Sequence, residues 1–313
     1  MKALRALIVA SLLWPLGAGA SDYLSDFNRV KATGDEKMVE AFLVEAGKTQ
    51  AGNADYYATA ANYWWQVSQS VDITTRPAEG GDYSVRDKVT GAEVGSISTT
   101  GRGNPELPKR ALETLTEGVR LFPQRVDMAL GLAHIQYEME RQKACVSTLL
   151  KLLATAKKDP EELTWTRNAQ LPSPAGFLIP EAIQKYTHAL YREETPAADA
   201  LCIRLCDATI ATFPDHAFAY NVRAAMAAAQ GQPAESLSYL EKASAKAPDD
   251  ALILMNLGDS YAKANESAKA RATYTKVLQL AEGDESLKEQ AGIAITEIDQ
   301  SNATKSSSRK TKD

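Results

Sequence analysis

The chain has 313 residues, of which 44% are hydrophobic and 24% charged, and its formal net charge is −5. This ordinary globular composition excludes a wholly disordered or collagen-like chain. The mild acidity argues against general nucleic-acid binding, which needs a basic surface to neutralise phosphates. Three Cys and three His argue against a disulfide scaffold and against a structural zinc site.

The first twenty residues have the pattern of a secretory signal peptide. Lys2 and Arg5 form a basic start, residues 7–16 are an apolar run, and Ala20 ends a small-residue cleavage site. That run is shorter than the roughly 20 residues that span a bilayer, and no later run is long enough either. The alternative is a buried or membrane-anchoring helix. Cleavage after Ala20 predicts a periplasmic or secreted protein, whose net charge without Lys2 and Arg5 is −7.

The rest of the chain contains an internal repeat. Phe-Pro-Asp around Pro214 and Ala-Pro-Asp around Pro248 lie 34 residues apart, and Phe-Pro-Gln around Pro123 is a third copy of this corner. Proline fits such a corner because it ends one helix and can open the next. A period of 34 is typical of units that each consist of two antiparallel helices.

The segment after Pro248 carries the signature residues of one repeat, which are Leu254, Leu257, Gly258 and Tyr261 in one half and Ala270 and Tyr274 in the other. Gly258 and Ala270 are small where two helices cross closely, and the larger residues fill the space around them. On these residues the chain resembles the tetratricopeptide repeat (TPR) family over most of its length. The resemblance implies an all-α, TPR-like helical-repeat solenoid.

Two interruptions of the period predict insertions. The first, at about 70–105, alternates apolar and polar residues around a Thr90-Gly91 turn and predicts a β-hairpin between the two helices of one unit. The second, at about 157–180, is Pro-rich and predicts a helix-free segment that ends at Pro180. It either folds back over neighbouring helices or forms a lid over the concave face.

The helical domain is therefore predicted over 21–300, and it closes with a polar capping helix. Residues 301–313 are Ser- and Lys-rich and predict a disordered basic tail. The predicted helix pairs occupy 22–50, 54–69 with 106–122, 125–156, 180–213, 217–246 and 251–281, followed by the cap at 284–299.

No catalytic constellation is found, so the sequence predicts a non-enzymatic protein with no catalytic residues, no cofactor and no metal site. Ser260 and Lys263 match an S-x-x-K pattern, but its partner motifs are missing. Cys145 and Cys202 fall where the repeat has a small residue, and Cys206 falls where it has a larger apolar one. Plain packing is favoured for them, and a strained Cys202–Cys206 bond is the alternative.

Partner-binding candidates come from two sources. Trp65 cannot share the packing seam of Trp64, because adjacent helical positions point about 100° apart, so it caps the hairpin or lines a groove. Trp165 lies in the apolar second insertion. The remaining candidates come from the family resemblance, in which first helices line the concave face: Thr187, Tyr191, Phe218, Asn221, Met255, Asn256 and Asp259.

The leading hypothesis is an exported scaffold or adaptor of the cell envelope that docks a peptide or helix of a partner protein on a concave TPR surface. The alternative is a periplasmic binding protein for a small or lipid-like ligand held under the Pro-rich insertion. Neither hypothesis involves nucleic acid or a membrane span in the mature chain.

Overall fold

The structure is a computed structural model, and it describes residues 22–69, 72–74, 83–98 and 105–310. The predicted signal peptide lies outside these residues. The described chain consists of helices, short turns and one small sheet, which confirms the predicted all-α class with inserted strands. It forms two compact units. The first unit comprises the chain up to residue 148 together with 162–171, and the second comprises 149–161 and the chain from 172 onward.

The described residues of the first unit form five helices and the start of a sixth, which continues into the second unit. They are α1 (Tyr23–Lys31), α2 (Glu36–Thr49), α3 (Ala54–Ser68), α4 (Glu106–Leu121), α5 (Val126–Glu138) and α6 (Gln142–Lys158). Side-chain caps begin two of them. Asp35 accepts a hydrogen bond from the backbone N–H of Met38, and Asn53 accepts one from that of Asp55. Such caps satisfy backbone donors that a helix start leaves unpaired.

The residues of the first insertion that the structure describes form three antiparallel strands in the order β1-β3-β2. They are β1 (Asp72–Thr74), β2 (Tyr83–Arg86) and β3 (Glu93–Ser98). β2 and β3 form the predicted hairpin, and their turn places Gly91 at a φ of 69°, a conformation that glycine adopts without steric cost. The third strand, β1, pairs with β3 and was not predicted.

Helices α3 and α4 pack against each other although the sheet separates them in sequence. The contact is close: a Cβ atom on Gly118 of α4 would lie 2.5 Å from the Cβ atom of Tyr57 on α3. Tyr57, Ala60 and Trp64 are buried on this side of α3. The first insertion therefore interrupts one helix pair without opening it, as predicted.

The second unit contains α7 (Ala175–Tyr191), α8 (Pro196–Thr212), α9 (Ala217–Ala229), α10 (Pro233–Lys246), α11 (Ala251–Lys263), α12 (Ser267–Leu280) and α13 (Glu285–Lys310). Helices α9 and α10 pack as one pair and α11 and α12 as the next, in agreement with the predicted pairs. A Cβ atom on Gly258 of α11 would lie 2.5 Å from the Tyr274 ring on α12. Gly258 is thus the close-crossing residue that the repeat pattern indicated.

Two boundaries differ from the prediction. Helix α7 begins at Ala175 and carries Pro180 inside it, whereas the sequence predicted that the helix-free insertion ends at Pro180. Proline in a helix costs one backbone hydrogen bond. Burial of Ile179, Pro180 and Ile183 in the same helix offsets that cost. Helix α13 continues to Lys310, through most of the segment predicted as a disordered tail.

None of the described helices is both long enough and apolar enough to cross a membrane.

Candidate functional site

The first helices of two consecutive repeats, α3 and α5, enclose a groove of about 370 Å³, which we call the α3–α5 groove. Its walls include Ala58, Leu115, Met128 and Ile135, and its polar groups include Asn62, Asp127 and His134. An apolar floor with a few polar groups is typical of ligand and peptide sites. The groove lies within the first unit.

Trp65 lies in this groove, as one of its two predicted placements required. It is half-buried, and its ring lies 6.1 Å from that of His134 at an interplanar angle of 76°. Trp64 is 3% exposed and belongs to the core, with the Arg110 guanidinium 4.9 Å from its ring. The rotation between adjacent helical positions thus gives the two tryptophans different environments.

Arg125 lies at the N-terminal ends of α3 and α5. Its side chain is fully buried; Nε donates to Asp127 Oδ1 at 2.9 Å, and Nη2 donates to Asp127 Oδ2 at 2.8 Å. Nη2 also lies 2.9 Å from Asp55 Oδ1. Burial alone would lower the pKa of Arg125, but the two carboxylates raise it above the ordinary value. The guanidinium is therefore held charged, with its orientation fixed.

The second insertion is attached to this ion-pair cluster. Thr164 N–H donates to the Gln124 carbonyl and Val126 N–H to the Thr164 carbonyl, each at 3.0 Å. Thr166 Oγ1 donates to Asp127 Oδ2, and Arg167 N–H to Asp55 Oδ1, each at 3.0 Å. Residues 162–168, here called the strap, therefore lie over the starts of α3 and α5, and Thr166 reaches the groove wall.

Trp165 belongs to the strap and is half-buried. Its backbone N–H donates to the Ala169 carbonyl at 2.8 Å. Trp165 does not line the α3–α5 groove within the part of the chain that the structure describes. The two predicted tryptophans therefore have different surroundings, and of the two it is Trp65 that lines the α3–α5 groove.

In the second unit, Asn221 of α9 and Asn256 of α11 are brought together. Asn256 Nδ2 donates to Asn221 Oδ1 at 3.0 Å, and both side chains are half-buried. Phe218, one turn before Asn221, lies edge-on to His216 with ring centroids 5.1 Å apart. These residues form the surface of two successive first helices, which we call the α9–α11 face.

Two other predicted residues are packed in the core and do not lie on this face. Thr187 is fully buried, and its carbonyl accepts a hydrogen bond from the Cys202 thiol at 3.6 Å. Met255 is 8% exposed and packs in the cluster that contains Tyr274. The prediction counted helical positions from the repeat pattern, and one position changes the direction by about 100°, enough to turn a side chain from surface to core.

Asp259 and Tyr191 occupy intermediate situations. Tyr274 donates its phenolic hydrogen to Asp259 Oδ1 at 2.6 Å. Burial and this hydrogen bond raise the pKa of Tyr274 well above its ordinary value. The Asp259 carboxylate is thus engaged inside its own repeat. Tyr191, at the end of α7, is 40% exposed and is open to a partner.

All three cysteines are buried free thiols. Cys202 and Cys206 are completely buried on α8, and the hydrogen bond with Cys202, together with burial, raises the pKa of Cys206 well above its ordinary value. A buried, protonated thiol behaves as a small hydrophobe, in keeping with the packing interpretation. Among the described residues, no three His, Cys, Asp or Glu side chains could together hold a metal ion.

Arg125 was not among the predicted residues, and the second insertion was predicted only to fold back over neighbouring helices or to form a lid, without the contacts that the strap makes. Arg125 follows a Pro corner, a position where an arginine is ordinarily an exposed loop residue. Its partner Asp55 belongs to a different repeat, so the pairing has no local sequence signal. The one available indication was that Asp127, two residues on, offers a carboxylate to the same side chain.

The architecture defines a helical-repeat protein, built of antiparallel helix pairs with a small inserted sheet. Residues 227–289 match the family model described as a tetratricopeptide repeat. The matched segment runs from the end of α9 through α12 to the start of α13. Residues 227–289 therefore carry the tetratricopeptide repeat pattern, as Gly258, Ala270 and Tyr274 indicated.

Solved structures show similarity to the chain at low identity. YrrB, titled a TPR protein with an unusual peptide-binding site, is 15% identical over 80% of this chain and 97% of its own, with a TM-score of 0.43. A thermophilic TPR protein of Thermus thermophilus is 18% identical over 61% and 92%, with a TM-score of 0.37. PilF of Pseudomonas aeruginosa is 14% identical over 79% and 90%, with a TM-score of 0.38.

At such identities and TM-scores, these likenesses say nothing about the function of this chain. No curated protein sequence matches it.

Proposed function

We propose that the protein is an exported, non-enzymatic scaffold that docks a peptide or helix of a partner protein. The observation that carries the proposal is the α3–α5 groove, with Trp65 half-buried in it beside His134. Tetratricopeptide repeats stack into extended concave surfaces, and a preformed surface binds without a cost for ordering itself.

The chemistry of the groove favours an apolar or aromatic anchor from the partner. A large aromatic side chain buried at the centre of an interface typically dominates its energetics, and Trp65 is partly exposed for such a contact. The exposed Asn62 side chain at the groove wall can bond to the partner's backbone. On the α9–α11 face, Asn221 and Asn256 each supply a donor and an acceptor for the same purpose.

A lipid-like ligand under the Pro-rich insertion receives less support. That alternative depended on Trp165 lining a closed apolar pocket, and Trp165 does not line the described groove. The strap is tied down by polar contacts to Asp55 and Asp127. These contacts are hydrogen bonds from the strap to two carboxylates, where a lipid would need an apolar cover.

Peptides selected for binding to the immobilised full-length protein test the proposal. Titrated against Trp65→Ala, a selected peptide is expected to bind at least about tenfold more weakly, since loss of an aromatic anchor costs more than about 1.4 kcal/mol. Trp165→Ala is the matched control and should leave the affinity unchanged. Peptides that bind Trp65→Ala and an Asn221→Ala, Asn256→Ala variant as tightly as the wild type would rule out both faces.

Export is the second part of the proposal and rests on the basic start, the apolar run and the small residues before Ser21. Fractionation of cells that express the full chain should recover it outside the cytoplasm, and N-terminal sequencing should begin at Ser21. Retention in the cytoplasm with Met1 in place would contradict it.

A further inference from the structure

The ionised side chains at the two ends of the α3–α5 groove are acidic. Asp127, at the start of α5, belongs to the groove lining, and His134 belongs to it two turns later. Within the described chain, the lining contains no lysine and no arginine. One turn beyond His134, Glu138 Oε1 lies 3.7 Å from His134 Nδ1, and the Glu138 side chain is 47% exposed. A carboxylate therefore stands at each end.

These two carboxylates differ in what they can do for a partner. The Asp127 side chain is 12% exposed. Its oxygens accept hydrogen bonds from Arg125 and Thr166, so its charge is matched inside the protein. Glu138 approaches His134 at a distance longer than a hydrogen bond, and its side chain is open to solvent. Glu138 is thus the carboxylate that can receive a positive charge from outside.

The position of Glu138 is unfavourable for helix α5 itself. Glu138 is the last residue of α5, and the C-terminal end of a helix carries a partial negative charge that repels a carboxylate. Asp127, in the first turn of the same helix, is at the end that attracts one. Helix stability therefore accounts for Asp127 and leaves Glu138 unexplained. A basic group of a bound partner would supply the attraction that the helix does not.

We propose that the α3–α5 groove selects a partner segment in which a lysine or arginine lies within about three residues of the apolar or aromatic anchor. This inference rests on the docking function proposed above. Trp65 contacts the anchor and Glu138 pairs with the basic side chain. The Trp65 ring lies 6.1 Å from the His134 ring, and Glu138 lies 3.7 Å from His134 Nδ1. An extended chain advances about 3.3 Å per residue, so up to about three residues span this separation.

Charge complementarity of this kind sets which partner binds more than how tightly it binds. An acidic residue at the same position of the segment would be repelled by Glu138. A neutral residue would leave the contact of the anchor with Trp65 unchanged and would lose only the ion pair. The anchor and the basic residue can therefore be tested separately.

Selection of phage-displayed peptides on the immobilised full-length protein tests the proposal. Peptides whose binding depends on Trp65 are expected to carry a lysine or arginine within three residues of an apolar or aromatic residue more often than the unselected library does. Each such peptide is then synthesised in three forms, in which that basic residue is kept, replaced by glutamine or replaced by glutamate. Fluorescence anisotropy of the labelled peptides gives the affinities.

The basic form should bind the wild type about two- to fivefold more tightly than the glutamine form, the range of an exposed ion pair. High salt should reduce this advantage. Glu138→Gln should remove it, and Glu138→Lys should reverse it, so that the glutamate form binds more tightly than the basic form. Glu113→Lys, at an exposed glutamate of α4, is the matched control and should keep the wild-type order.

Lysine is favourable at a helix C-terminus, so Glu138→Lys should fold, which circular dichroism checks. If it does not fold, Glu138→Gln decides.

Two results would overturn the proposal while the docking function stands. One is a set of Trp65-dependent peptides without enrichment of basic residues. The other is a preference for the basic form that persists in the Glu138 variants. In both cases Trp65→Ala should still weaken all three forms alike. Peptides that bind Trp65→Ala as tightly as the wild type would instead remove the docking function from this groove, and this inference with it.

Discussion

Replacing Gly258 by alanine tests the close helix crossing of α11 and α12. In an open helix this change normally stabilises a protein by up to about 1 kcal/mol. Here the added Cβ atom would lie 2.5 Å from Tyr274 Cε1, 2.8 Å from Cδ1 and 2.9 Å from Cζ. The Tyr274 ring cannot move aside easily, because it is 2% exposed and its hydroxyl is bonded to Asp259 at 2.6 Å.

Overpacking costs about 1–3 kcal/mol, and the fixed Tyr274 ring places this site in the upper part of that range, so the cost outweighs the gain in helix propensity of up to about 1 kcal/mol. We therefore expect Gly258→Ala to lower the free energy of unfolding by about 1–2 kcal/mol. Urea titration followed by far-UV circular dichroism measures the change. Hydrogen exchange on peptides from 251–280 should show that the loss is greatest in this helix pair.

Gly292→Ala on α13 is the matched control, since its Cβ atom would meet no other described atom within 4 Å. It should raise the urea midpoint slightly. The reasoning fails if Gly258→Ala stabilises the protein as Gly292→Ala does, because the crossing would then have room for a side chain.

Three further predictions concern buried polar groups. Arg125→Leu leaves Asp55 without its buried partner and should lower the free energy of unfolding by about 3–5 kcal/mol in urea titration; a loss below about 1 kcal/mol, the level of a surface pair, would contradict the burial. Burial lowers the pKa of His216 in the folded protein below 6.5. The neutral imidazole therefore contributes its full share of stability above pH 6.5, and this contribution is lost as the pH falls through the folded pKa. His216→Gln should therefore reduce the drop in urea midpoint between about pH 7 and pH 5.5, and an unchanged drop would refute this. Cys202 and Cys206 should react with a thiol reagent only after denaturant is added, and rapid labelling of the native protein would contradict their burial.

The repeat regions were predicted well because their signal is local and periodic. The corners at Pro214 and Pro248 placed the helix pairs at 217–246 and 251–281, and the structure has helices over 217–246 and 251–280 with a short turn inside each pair. Small residues at a fixed spacing indicate a close helix crossing, since only small side chains let two helices approach closely. Gly258 met this expectation against Tyr274.

The insertions were predicted less well because their structure depends on contacts outside their own sequence. Pro180 is a helix breaker by local rules, yet it lies within α7 beside buried Ile179 and Ile183. Burial of a helix face can outweigh one lost backbone hydrogen bond. The strand β1 also escaped prediction, since its partner β3 follows β2 in the chain.

Of the candidate site, too, some residues were predicted well and others were not. Helix geometry alone removed Trp65 from the core position that Trp64 occupies and left capping of the hairpin or lining of a groove; the structure places it in the α3–α5 groove. Thr187 and Met255 were placed on the concave face by the family resemblance, but they are core residues. A position near the edge of a helix face is decided by which neighbour packs over it, and the sequence does not contain that information.

By itself the sequence determined that the chain is built of helix pairs, because the period of 34 and the small crossing residues act within each repeat. Only the tertiary structure decided where the strap lies and what Arg125 does. Asp55, Arg125, Asp127 and Thr166 come from different repeats and an insertion, and their charges and hydrogen bonds become one cluster only when the chain has folded. Buried ion pairs depend on distance in space, and a one-dimensional pattern does not record that distance.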